Sequence, residues 1–225
     1  MLRTFLHCSL IAASLLALAC GSSAPRASAA DGPAVGANAT AGLVGGPGGQ
    51  IRVGGKYWAR TNLRIVGGKQ IDHESWMTGD LVPMGTGLTV METAKDDTRW
   101  RVKLDDGREA WILIGYGAGF KDQYQEIQKF LAAQDPKAGF DAGAGEVADG
   151  VKFGRPVAGM SRAQVLAACG FPPSLPDPAT SDQWRYPQLG AGWRTHGWFR
   201  GYNRHNVSIE FAGDKVQRVL GYELE

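Results

Sequence analysis

Cysteine is scarce in this chain: three in 225 residues, at Cys8, Cys20 and Cys169. Cys8 lies inside an apolar leader, so at most two thiols outlast its removal and no disulfide framework is possible. Histidine is nearly as sparse, with four. The one dense run of potential ligands, Asp72-His73-Glu74, has no spaced His or Cys partners, and neighbours in sequence rarely converge on one ion. No metal and no cofactor are therefore expected. An excess of charge is missing too. The formal net charge is +2, and loss of residues 1–19 removes Arg3 alone and leaves +1. Without a Lys/Arg cluster there is no electrostatic case for nucleic acid. A phosphate loop is absent, since Gly55-Lys56 and Gly68-Lys69 lack the upstream Gly and the following Ser or Thr. So is any repeated βαβ pattern. Gly159-Met160-Ser161-Arg162-Ala163 is one residue away from a hydrolase elbow, with His196 and His205 downstream and Asp177 and Asp182 between. That elbow needs parallel strands beneath it, so no enzyme is expected.

Glycine, by contrast, is abundant at 32 residues, much of it in the first third. Arg3 supplies a short positive start, and residues 5–19 are Leu/Ala-rich. This run is shorter than the roughly 20 apolar residues of a spanning helix, and residues 1–19 read as a signal peptide. Leu16-Ala17-Leu18-Ala19-Cys20 resembles a bacterial lipoprotein signal, in which the Cys is lipidated after cleavage before it. The competing reading is ordinary signal-peptidase cleavage after Ala19 or Ala29. Gly21 and Ser22 lack the acidic residue for inner-membrane retention, so the lipoprotein resemblance implies the outer membrane, facing the periplasm. Soluble periplasmic or secreted protein is the alternative. Residues 20–50 are Gly, Ala, Ser and Pro almost throughout, a composition that cannot bury a core and reads as a disordered linker.

Residues 51–118 alternate in hydrophobicity. In 57–65, Tyr57, Ala59, Leu63 and Ile65 take one face, and Arg60, Asn62 and Arg64 the other. Leu88-Thr89-Val90-Met91-Glu92 is a second strand. Trp100, Val102 and Leu104 define a third; Ala110, Ile112 and Ile114 define a fourth. Asp106-Gly107 between the last two signals a tight hairpin. Short strands with Gly/Pro-rich joints predict a small β-barrel. Asn62-Leu63-Arg64, Pro83-Met84-Gly85-Thr86-Gly87-Leu88-Thr89-Val90 and the run from Trp100 to Ala110-Trp111-Ile112 resemble a bacterial SH3-like domain. Such domains often bind cell-wall peptides or other polypeptides, which would place Trp58, Trp76 and Tyr116 in a ligand groove. Burial in the barrel core or under loops is the competing reading for these aromatics.

Residues 119–225 predict a second, α+β domain. Phe120, Tyr124, Ile127, Phe130 and Leu131 recur near a 3.6 period, so a helix is expected over 120–134. Residues 146–153 read as a poorer helix because of Gly150. A short helix over 162–169 has both ends specified. Ser161 and Gln164 form a capping box, Met160 and Val165 a hydrophobic staple, and Gly170 a left-handed stop against which Phe171 can fold onto Leu166. Its packing face is Val165, Leu166 and Cys169, with Cys169 a small buried apolar residue. Trp184 and Tyr186 mark one strand, Val207, Ile209 and Phe211 another, and after a Gly213-Asp214 turn 216–222 is the last. The segment 188–204, with Trp193, Trp198, Phe199 and Tyr202, reads as a long hairpin or mobile loop and a partner surface.

Gly159-Met160-Ser161-Arg162-Ala163-Gln164-Val165, Gly170-Phe171-Pro172-Pro173, Asp182-Gln183-Trp184-Arg185-Tyr186 and the run from Ile209 to Val216 together resemble the small outer-membrane lipoproteins of the BamE (SmpA/OmlA) type, over roughly 150–222. The resemblance implies two helices on a three-stranded antiparallel sheet, without catalysis, binding other envelope proteins. The expected fold is mainly β plus α+β: an SH3-like barrel, then a BamE-like module. The expected function is a non-enzymatic envelope lipoprotein tethered to membrane through Cys20, binding envelope proteins or peptidoglycan. A cell-wall-peptide binder acting through the barrel, and a secreted enzyme-inhibitor-like binder, are the alternatives.

Overall fold

The computed structural model describes residues 51–71, 79–94, 98–114, 123–172, 177–187 and 206–221, all within one compact unit. Its fold is mainly β with few helices. The strands are β1 (Lys56–Ala59), β2 (Leu63–Ile65), β3 (Gln70–Ile71), β4 (Asp80–Val82), β5 (Gly87–Thr93), β6 (Arg99–Leu104), β7 (Glu109–Leu113), β8 (Leu131–Ala132), β9 (Gln183–Pro187), β10 (Asn206–Ala212) and β11 (Lys215–Leu220). The helices are α1 (Gln123–Ile127), α2 (Gly145–Phe153) and α3 (Arg162–Cys169), with a 3₁₀ turn at Pro178–Thr180.

The first sheet is curled and runs β3-β7-β6-β5-β1-β8, with β2-β4 as a separate pair. All its pairings are antiparallel except β3 with β7. Period-two burial drives it: Leu88 and Val90, Trp100, Val102 and Leu104, and Ala110, Ile112 and Ile114 all point into one core. The run 57–65 is not one strand. It breaks at Arg60-Thr61-Asn62, between β1 and β2, and Arg60 and Thr61 are buried there. The Arg60 N–H is taken by the Phe130 carbonyl at 2.9 Å and the Asn62 N–H by the Ala167 carbonyl at 2.8 Å, so the break is held by distant chain. The hairpin between β6 and β7 forms, but its loop is Asp105, Asp106 and Gly107 rather than Asp106-Gly107 alone. The Leu104 N–H bonds the Arg108 carbonyl at 2.8 Å, Gly107 supplies positive φ (89°), and the Asp106 carboxylate accepts the Arg108 N–H at 3.0 Å.

The helix expected over 120–134 is shorter. Only Gln123–Ile127 is helical in the described part, and Leu131–Ala132 pairs with β1, Ala59 opposite Leu131 and Trp58 opposite Ala132. Ile127, Phe130 and Leu131 enter the core of the first sheet. A helical repeat and a turn followed by a strand bury the same three residues; the open edge of β1 decides for the strand, because its backbone groups need partners.

The second core lies between α2, α3 and the sheet β11-β10-β9. Trp184, Tyr186, Val207, Ile209, Phe211 and Val216 face the helices. The rings of Trp184 and Phe211 are 4.6 Å apart at 57°. The other sheet face is polar, with Gln183 donating to Ser208 at 2.9 Å and Arg218 paired with Glu210 at 2.6 Å. Gly150, unfavourable by propensity, sits buried in α2; a Cβ there would collide with the Met160 side chain and stand 2.7 Å from the Arg155 carbonyl.

Helix α3 has the ends its sequence specifies. Gln164 N–H donates to Ser161 Oγ at 3.2 Å, and Ser161 N–H to Gln164 Oε1 at 2.7 Å. Gly170 stops it with its N–H on the Leu166 carbonyl at 2.8 Å, at φ 77° and ψ −172°, so the residue is extended with positive φ rather than left-handed helical. The expected packing face of Val165, Leu166 and Cys169 is too narrow. Every residue from 163 to 169 is buried, because α2 packs along the helix, Gln164 bonds the Asp141 carbonyl, and Asn62 bonds the Ala167 carbonyl on sides that the sheet does not cover.

Candidate interaction surfaces

Two carbonyl-rich helix ends meet the chain at the start of β2. The last turns of α2 and α3 leave backbone acceptors without partners inside the helix. Asn62 and Arg64, flanking Leu63 at the start of β2, supply the donors. Asn62 Nδ2 reaches the Val151 carbonyl at 2.6 Å, and the Asn62 N–H the Ala167 carbonyl at 2.8 Å. Arg64 Nη2 reaches the Phe153 carbonyl at 2.8 Å, a cation at the negative end of α2. Asn62 Oδ1 in turn accepts the Met84 N–H at 2.8 Å, and the Met84 side chain joins the second core. Asn62 and Arg64 therefore cap both helices.

At the other end of α3, Arg162 is a second knot. Its guanidinium donates to the carbonyls of Ser181 (2.5 Å), Pro178 (3.2 Å) and Gly213 (3.3 Å) and pairs with Asp182 at 2.6 Å. It lies 4.3 Å above the Phe211 ring and 5.7 Å from that of Trp184. The hydroxyls and carboxylates once open to a hydrolase reading are thus engaged: Ser161 caps α3, Asp177 accepts the Ala179 N–H at 2.9 Å, and Asp182 holds Arg162. Burial pushes the Cys169 thiol far above its ordinary value and raises Tyr186 likewise, whose hydroxyl donates to the Gly170 carbonyl at 2.8 Å. Burial lowers Arg60 to about 10. Among the described residues no group of three His, Cys, Asp or Glu could hold a metal ion, and no helix is long and apolar enough to cross a membrane.

Of the expected groove, Trp58 is on β1, half-buried, opposite Gly87 and Ala132. Trp76 and Tyr116 lie outside the described residues, as do Cys20, the expected partner surface of Trp193, Trp198, Phe199 and Tyr202, and the candidate ligands Asp72-His73-Glu74, His196 and His205. Trp111, half-buried on β7 with the Arg99 guanidinium 5.8 Å from its ring, is an aromatic of the first sheet that the groove assignment left out. Sequence reasoning also missed Phe153, a residue 44% exposed at the end of α2, its ring with Lys152 Nζ at 5.1 Å and the Arg155 guanidinium at 5.6 Å. The available signal was Lys152-Phe153-Gly154-Arg155 itself, an aromatic between cations just before a helix-ending glycine.

Comparison with protein-family models, curated proteins and solved structures finds no match to this chain.

Proposed function

We propose that this protein is a non-enzymatic lipoprotein of the bacterial cell envelope, held to the outer membrane through Cys20, in which the barrel and the α+β module form one protein-binding scaffold for outer-membrane assembly or maintenance. The observation that carries the scaffold reading is the joint: Asn62 and Arg64 of the barrel cap the ends of α2 and α3, so the two halves present their surfaces in a fixed relation. A second support is the use of Ser161 as a helix cap, which gives the hydrolase-like Gly-x-Ser run a structural job. In the finer reading, the barrel is SH3-like and residues 150–222 are a BamE-like module. The order of α2 and α3 before the antiparallel sheet β11-β10-β9 agrees with the latter.

The test is crosslinking in the native envelope with identification of partners, together with fatty-acid labelling. An envelope protein should crosslink to the mature chain, and label should vanish in Cys20→Ala. Label that persists in that variant removes the lipoprotein claim, and a chain that crosslinks to no protein removes the scaffold claim.

A second reading is supported by the half-buried Trp58 and Trp111 on barrel strands: the barrel binds cell-wall peptide. Sedimentation of the full chain with purified cell wall decides it. A chain that stays in the supernatant excludes this reading.

A further inference from the structure

The large apolar side chains exposed among the described residues are Val53, Met91, Phe153 and Leu220, and Phe153 alone of these is aromatic. It sits on the last turn of α2, just before Gly154 reverses the chain at φ 69° and ψ 43°. Lys152 and Arg155 lean toward its ring at 5.1 and 5.6 Å. Neither cation has an ion-pair partner among the described residues. Below the ring, Arg64 holds the Phe153 carbonyl and Asn62 holds that of Val151.

A cation near a helix C-terminus has a structural use in satisfying the dipole. Arg64 already serves it, bonded to the terminal carbonyl. The dipole does not account for a phenyl ring left in water between two further cations, where each exposed cation–π contact is worth only about 0.5–1 kcal/mol. An exposed aromatic beside an unpaired Arg on a rigid support has the composition of a binding hot spot, and Lys152 adds a second positive charge to it. The support matters, because a surface fixed in advance by Asn62 and Arg64 loses little freedom on binding.

We propose that Lys152, Phe153 and Arg155 form a docking point for an acidic peptide segment of a partner protein. An apolar side chain of that segment covers the Phe153 ring, and its carboxylates pair with Lys152 and Arg155. The inference rests on the protein-binding reading above and gives it a surface and a partner chemistry. A membrane surface is the poorer match, since electrostatic attachment to lipid usually draws on clusters of about four to eight cations or on a long amphipathic helix.

The test is selection of random dodecapeptides, displayed on phage, against the full mature chain, with the Lys152→Glu/Arg155→Glu double variant as counter-selection. Enriched peptides should be net acidic and carry an aromatic or large aliphatic residue. A labelled consensus peptide should bind at least about tenfold more weakly to Phe153→Ala and to the double variant. A peptide with its acidic residues changed to Lys should recover binding to the double variant. Phe153 is exposed, so Phe153→Ala leaves the fold intact, and its circular dichroism and thermal midpoint should match the parent. The proposal is overturned if no peptide is enriched, if the enriched peptides are neutral or basic, or if the variants bind the consensus unchanged. Sedimentation with phosphatidylglycerol vesicles through Phe153, without acidic-peptide enrichment, replaces the peptide with lipid and equally overturns it. An envelope partner crosslinked at another surface would leave the wider scaffold reading standing in each case.

Discussion

The side-chain amide of Asn62 donates to the carbonyl of Val151 at 2.6 Å across 89 positions of sequence. With its backbone N–H on Ala167 and its Oδ1 on the Met84 N–H, this one residue joins the start of β2 to both helices. The first sheet and the helix-covered second sheet are thereby expected to unfold together.

Asn62→Ala leaves the Met84 N–H without this partner and the Val151 carbonyl with the Gly154 N–H alone, at 3.3 Å. An unsatisfied group costs about 1–3 kcal/mol and a lost hydrogen bond about 0.5–1.5 kcal/mol, so a loss of roughly 1.5–4.5 kcal/mol is expected. Urea denaturation of parent and variant measures it. Hydrogen exchange should show protection falling in β5 and in α3 alike. A variant with the parent midpoint, or one that loosens only the module, would contradict the role given to Asn62.

A fragment of residues 51–118 should not fold. It lacks Leu131–Ala132, which pairs with β1, and Ile127, Phe130 and Leu131, which fill the barrel core. Loss of three large buried side chains, each worth about 1.5–3 kcal/mol in burial, is comparable with the whole stability of a small domain. Dispersed amide resonances from the fragment would show the prediction to be wrong.

Ser161→Ala should destabilise the protein by about 1 kcal/mol, the usual worth of an N-cap. Ser161→Asp should retain most of that stability, because a carboxylate oxygen can accept the Gln164 N–H in place of Oγ. Equal losses in the two variants, read from denaturation midpoints, would argue against capping as the function of this hydroxyl.

What was legible depended on how local its cause is. The ends of α3 follow from neighbours: Ser161 with Gln164, then Gly170, and all act within one turn. Strands β6 and β7 follow from alternation about a turn glycine. The C-terminal half of 120–134 did not, since Ile127, Phe130 and Leu131 satisfy two periodicities and only the unpaired edge of β1 chooses between them. Asn62 read as an outward polar residue of one long strand because its partners are far away in sequence. The buried far side of α3 was hidden for the same reason: Asp141 and Asn62, which bond Gln164 and Ala167 there, precede it by about twenty and about a hundred residues. Arg162 showed only as part of a motif, and nothing local announces that its guanidinium reaches Pro178, Ser181, Asp182 and Gly213.

Arg162→Lys should fail to rescue Arg162→Ala. The guanidinium reaches three carbonyls and a carboxylate at once while lying over Phe211, and an ammonium has neither the fork nor the flat face. Both variants are expected to lose about 1–3 kcal/mol, the range for removing a charged donor from part-buried carbonyls. Thermal unfolding of the two variants checks this. A Lys variant as stable as the parent would mean that charge alone, and not shape, holds the turn at Pro178–Thr180.

Stability should fall in alkali, and Cys169 should be one cause. Its thiol, from an ordinary value of 9.0, and the Tyr186 hydroxyl, from 10.0, are both raised by burial. For an acid whose value is higher in the folded state, the unfolded chain gives up its proton first. The stabilisation is complete below the unfolded value and is lost as pH climbs past it. Stability should therefore stay level with respect to these groups up to about pH 8, then fall by about 1.4 kcal/mol per pH unit for each group that only the unfolded chain ionises. The thiol is coupled to the same opening: at pH 8 a thiol reagent should modify Cys169 at the rate of unfolding, whereas a surface thiol reacts at once. Cys169→Ala should remove one of the two slopes, the one that sets in first above about pH 8, and leave that of Tyr186. Urea midpoints taken from pH 7 to 10.5 on parent and variant measure this, and identical pH profiles would mean that Cys169 ionises as readily in the folded protein as in the unfolded chain.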